Sequence, residues 1–104
     1  MVAQLVITYW RDIPSMIEVR QGRREKAKRL LPERFQEAID RAAMRAGASD
    51  TDSYLAQWRK APAVPCGDDL EAEADRIMAE IDAAWDDGKL RRLVAASGQA
   101  DTVQ

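Results

Sequence analysis

The stretch QLVITYW, residues 4–10, constrains the fold more than any other part of the chain. Leu5, Ile7 and Tyr9 alternate with Val6, Thr8 and Trp10, all types that favour a strand, and apolar groups fall on both faces. Such a strand needs cover on both sides, at least in part. After RDIP, where Pro14 removes a ladder donor and suits a turn or strand entry, SMIEVRQ puts Ile17 and Val19 on one face and Glu18 and Arg20 on the other. That alternation predicts a half-exposed second strand, paired with the first in a hairpin.

A chain of 104 residues can bury roughly two thirds of the surface that its unfolded form exposes, enough for one core. With 46% apolar and 33% charged residues the composition is that of a globular protein. The basic segment GRREKAKRLL leads to Pro32, which suits a first helical position because its missing N–H would have no partner there. From there Leu31, Phe35, Ala38, Ile39, Ala42 and Ala46 recur at three- and four-residue spacing, and Gly47 fits the C-terminal cap. In DSYLAQW, Tyr54, Ala56 and Trp58 alternate as in a strand, although Tyr54 and Trp58 are also one helical turn apart. A strand over 53–59 is the reading adopted, because two strands alone make a marginal sheet.

PCGDDLEAEAD, residues 65–75, crowds acids behind the single cysteine, Cys66. Asp68 suits an N-cap, and Asp69, Glu71 and their neighbours place negative charge where a helix macrodipole is positive. Leu70, Ala74, Ile77, Met78, Ile81 and Trp85 then form one stripe, with Gly88 as the expected stop and Leu90, Leu93 and Val94 on a short terminal helix. The predicted fold is a two-layer α+β domain over residues 1–97, ordered β-β-α-β-α. One face of a small antiparallel sheet is expected under two long helices, with 98–104 as a disordered tail.

The chain contains no histidine, which removes Ser-His-Asp and Cys-His catalysis and every zinc site built on imidazole. Cys66 precedes a helix start, where a thiol pKa can fall, yet the nearby carboxylates oppose a thiolate and no second cysteine could resolve it. An inert cysteine is the favoured reading. The acids at 68, 69, 71, 73 and 75 splay around a helix instead of following the EF-hand order, so no metal and no cofactor is expected.

Between residues 20 and 34 the cations include Arg23, Arg24, Lys26, Lys28 and Arg29, whereas residues 68–87 carry nine acids against the single Arg76. The two regions are expected to face one another or a neighbour. Protein contact is favoured over nucleic acid because base-stacking aromatics are not interleaved with these cations. Trp10, Arg11 and Asp12, at the tip of the predicted hairpin, combine types found at interface hot spots, though packing at the core edge also suits the tryptophan. The apolar start lacks a basic n-region and breaks into RD too early to span a bilayer, so neither a signal nor a membrane segment is expected.

ITYWRDIPSMIEV, ERFQEAIDRAAMRAG, DSYLAQW and GDDLEAEAD together resemble the small bacterial "virulence factor" domain family over about residues 3–95. The likeness extends to the module at the C-terminal end of the conserved virulence factor C proteins. In those longer proteins the domain accompanies helical repeats and a NifU-like domain, which implies accessory or assembly work through protein binding. The resemblance implies no catalytic set. The expectation is a cytoplasmic, non-enzymatic interaction module with a contact surface of Trp10, Arg11, Asp12 and the stretch Arg23 to Arg29. The alternatives are an accessory enzyme or cofactor-handling protein of one-carbon or iron-sulfur metabolism using Cys66, and a regulator that binds nucleic acid.

Overall fold

The computed structural model describes residues 3–48 and 50–99. Strands β1 (Ala3–Trp10) and β2 (Ile13–Gln21) form the expected hairpin, joined by Arg11 and Asp12 alone. Leu5 pairs with Val19 and Ile7 with Ile17, but the register shifts between Thr8 and Tyr9, which face Met16 and Pro14. Ser15 is the extra residue. A bulge there absorbs the proline that cannot donate to the ladder, and the Ser15 carbonyl instead accepts the Leu31 N–H at 3.0 Å.

The basic lead-in expected before the first helix is itself a strand, β3 (Glu25–Leu30), antiparallel to β2. Its alternation is carried by one small residue. Ala27 is buried opposite Val19, while Lys26 and Lys28 point the other way into solvent. Helix α1 (Glu33–Arg45) follows Pro32 directly and buries Phe35, Ala38, Ile39 and Ala42, as the spacing predicts. It ends in a Schellman motif: the Ala48 N–H reaches the Ala43 carbonyl at 2.8 Å and the Gly47 N–H reaches Met44 at 3.2 Å, with Gly47 at φ 73°.

Residues 53–59, expected as a strand, divide between a helix and a strand. Asp50 accepts the Ser53 N–H at 3.2 Å and so starts the short helix α2 (Thr51–Ala56), after which β4 (Trp58–Lys60) pairs with Thr8–Trp10 of β1. A further short strand, β5 (Val64–Cys66), pairs with Ala3–Leu5, so β4 and β5 share one edge of β1. The result is an antiparallel sheet ordered β3-β2-β1-β4, with β5 also on β1.

Helix α3 (Leu70–Ala84) is capped by Asp69, one residue beyond the expected Asp68; its Oδ1 accepts the Ala72 N–H at 3.2 Å. Gly88 does not end the helical region. Asp86 caps a new helix, α4 (Asp87–Ala95), by accepting the Lys89 N–H at 2.8 Å, and Gly88 lies in its first turn. Of the tail expected from residue 98, Gly98 is buried, and its carbonyl accepts the Asp12 N–H at 2.8 Å; residues 100–104 lie outside the described residues. The fold is α+β, with five strands and four helices among the described residues against the simpler order the sequence suggests.

The two long helices do not share one patch of sheet. Helix α3 lies across β2 and β3, packing Ala74 and Ile77 on Ala3, Ile17, Val19 and Ala27, whereas α1 packs chiefly on α4 and meets the sheet at β2. A second cluster therefore forms at the hairpin tip, from Trp10, Ile13, Phe35, Ile39, Ala42, Leu90 and Leu93. Among the described residues no helix is long and apolar enough to cross a membrane.

Candidate functional site

The hairpin tip draws three distant parts of the chain together. Arg11 holds φ 53°, a left-handed conformation that is unusual outside glycine, and its surroundings fix it there. Its N–H donates to the Gln57 carbonyl at 3.0 Å, its Nε to Gln57 Oε1 at 3.2 Å and its Nη1 to the Ser97 carbonyl at 2.9 Å. The guanidinium also lies 5.3 Å from the centre of the Trp10 ring. Trp10 itself is fully buried: its indole N–H donates to the Tyr54 carbonyl at 2.9 Å and its ring stacks on Tyr54 at 5.8 Å. Of its two sequence readings, the structure places Trp10 in the packing role, because an enclosed indole offers no surface to a partner.

Beside this hub an open cleft of about 800 Å³ runs between the β1–β4 edge and helix α4. On the sheet wall, the Arg59 guanidinium sits 4.6 Å from the Tyr9 ring centre, donates Nε to the Arg11 carbonyl at 2.9 Å and pairs with Asp12 at 2.9 Å. On the helix wall, Lys89 Nζ stands 4.1 Å over the ring of Trp85, one turn earlier in the chain. Arg92 lines the same wall, with Leu93 and Ala96 between the two sides. Among the described residues neither Lys89 nor Arg92 has a carboxylate within ion-pair distance. Among the described residues that line the cleft, three cations stand against one acid, a balance whose sign suits an anionic group, and the aromatic faces hold two of the cations in position.

The two halves of the expected contact surface lie at opposite ends of β2. Arg11 and Asp12 precede it and Arg23 and Arg24 follow it, so its nine residues separate them by roughly 30 Å at about 3.3 Å per residue. Strand alternation divides the basic half further. Lys26 and Lys28 are exposed on one side of β3, while Arg29 turns to the other and pairs with Glu71 and, at 3.2 Å, Asp75 of α3. Arg34 likewise pairs with Asp82 at 2.7 Å and Asp87 at 3.2 Å. Among the described residues the basic and acidic regions therefore face one another, as expected from their opposite signs, only through Arg29 and Arg34.

Cys66 closes β5 opposite Ala3 and is half-buried against the sheet-side core. Burial pushes its thiol pKa up, and the charge of Glu73 adds to the rise. Of the acids behind it, Glu73 takes Arg76 at 2.8 Å and the Gly67 N–H at 3.0 Å, which hold its carboxyl down at about 2. Among the described residues no three cysteine or carboxylate side chains converge as metal ligands.

Sequence reasoning did not single out Tyr9, Arg59, Trp85, Lys89 or Arg92 as site residues. The one local signal was Trp85 followed four residues later by Lys89; Arg59 reaches Tyr9 through the pairing of β4 with β1, and Arg92 lies on α4. The family model described as "Virulence factor" matches residues 8–94, which include every one of these side chains. No curated protein and no solved structure matches the chain. The likeness to the C-terminal module of the conserved virulence factor C proteins therefore stays an expectation.

Proposed function

The chain belongs to the virulence factor family, and on that premise we propose that it is a non-enzymatic binding module whose tip cleft receives an acidic segment of a partner protein. The observation that carries this reading is the pair Lys89 and Arg92, presented in an open cleft with no carboxylate among the described residues within ion-pair distance, beside Arg59 fixed on Tyr9. Cations held over aromatic rings lose little freedom on meeting an anion, which favours binding. A raised thiol pKa argues against a working Cys66. The module acts in the cytoplasm, where a lone cysteine stays reduced.

Titration with a glutamate-rich decapeptide, followed through the indole N–H signals of the three tryptophans, tests the proposal. The Trp85 signal should move while that of buried Trp10 stays, and Lys89→Glu with Arg92→Glu should abolish the shift. An unmoved Trp85, or an equal shift in the double variant, would reject it.

A further inference from the structure

The arginines of this protein divide according to whether a carboxylate answers them. Arg29, Arg34, Arg59 and Arg76 each hold at least one. Arg41, Arg45 and Arg91 hold none among the described residues, yet all three line one groove of about 470 Å³ between α1 and α4. Arg45 donates Nε to the Ala95 carbonyl at 3.0 Å, which fixes its stem across the groove. The guanidinium groups of Arg41 and Arg91 make no hydrogen bond to a described residue.

A helix C-terminus explains Arg45, which stands in the last turn of α1 and offsets the macrodipole there. It does not explain Arg41, a turn earlier with Arg45 as its like-charged neighbour four residues on, an arrangement that slightly destabilises a helix. Nor does it explain Arg91 on the facing helix. The acids at the rim are Glu37 and Asp87, and Asp87 is already engaged by Arg34. Between the cations the floor is apolar, formed by Ala38, Leu90 and Val94. The exposed cations of the β2–β3 turn show no comparable combination, since the hollow beside them holds about 270 Å³ and no apolar floor.

We propose that this groove binds a small phosphate monoester, the phosphoryl group held by Arg41, Arg45 and Arg91 and a compact apolar body resting on Ala38, Leu90 and Val94. Phosphate suits the set better than carboxylate. It offers three acceptor oxygens and close to two negative charges, so three planar guanidinium forks can share it, whereas a carboxylate leaves one unanswered. The volume lies within the range of small-ligand sites. The site is separate from the tip cleft, because α4 turns Leu90, Arg91 and Val94 to this groove and Lys89, Arg92 and Leu93 to the other.

Calorimetric titration with phenyl phosphate tests the proposal, with benzoate and inorganic phosphate as comparators. Phenyl phosphate should saturate one site, with benzoate and inorganic phosphate each roughly tenfold weaker, the worth of one charge-assisted contact or of a buried ring face. Arg41→Gln with Arg91→Gln should weaken it at least about tenfold, while Arg20→Gln with Arg23→Gln leaves it unchanged. All four positions are exposed, so both variants should fold, which circular dichroism checks. Absence of saturation, equal binding of benzoate, or equal loss in the Arg20 and Arg23 variant would overturn the site; equal binding of inorganic phosphate would overturn the apolar body.

Discussion

The sheet half and the tip half of this molecule are held together by different means. In the sheet half, α3 rests small residues, Ala74 against Ala3 and Ala27, on a short apolar patch, and its rim is laced to β3 and α1 by ion pairs open to solvent. In the tip half, aromatic rings are buried whole and the backbone is tied across long sequence distances, Arg11 to Gln57 and Asp12 to Gly98. Exposed ion pairs add little and are screened by salt; buried rings and enclosed hydrogen bonds carry far more. The charge complementarity that is so visible in the sequence thus only trims a position that the apolar patch under α3 sets, while the tip supplies the rigidity around the cleft.

The largest effect is expected from Trp10→Ala. It removes a fully buried ring and an indole bond to Tyr54, and urea unfolding should show a loss of about 3–5 kcal/mol. A loss under about 1 kcal/mol would place the tip's weight elsewhere. Next comes Gly98→Ala. Gly98 sits at φ 86°, and an added methyl carbon would stand 3.0 Å from Trp10 Cζ3 and 3.3 Å from Ala42 Cβ, so about 2–3 kcal/mol should be lost. Asp69→Ala removes the cap of α3 and should cost about 1 kcal/mol by the same measurement.

The smallest effects belong to the charges of the sheet half. Arg29→Ala should lower the melting temperature slightly at low salt, and the gap should close as salt is added. Persistence of the gap at high salt would mean that Arg29 acts through its stem. Glu73, held at about 2 in the folded protein against about 4.3 in an unfolded chain, stabilises the fold fully above the unfolded value. That contribution fades as pH falls from about 5 towards about 2. The stability difference between the parent protein and Glu73→Gln should therefore shrink over the same window, and a constant difference would remove the pair from the account.

What the sequence disclosed follows the same division. The β1–β2 hairpin, α1 and the stripe of α3 were legible because their apolar residues repeat at two or at three and four positions. The strand β3 was not, because its alternation rests on Ala27 amid Lys and Arg, and only the free edge of β2 makes it a strand. Residues 51–60 carried competing signals. The Asp50 cap decides the first part for helix, and pairing of Trp58 with Trp10 decides the last for strand. Asp86 was hidden by the glycine two residues on, which reads as a stop and lies instead in a first turn. In the tip cleft, Arg59 meets Tyr9 only through sheet pairing, and no spacing along the chain records that.

The most direct measurement takes Lys89→Glu with Arg92→Glu and follows unfolding free energy and affinity for a glutamate-rich peptide in the same preparation. If the tip cleft exists to bind, stability should stay within about 0.5 kcal/mol of the parent while affinity disappears. A protein that loses stability yet keeps the peptide would show that these cations serve the fold, and the binding account would fail.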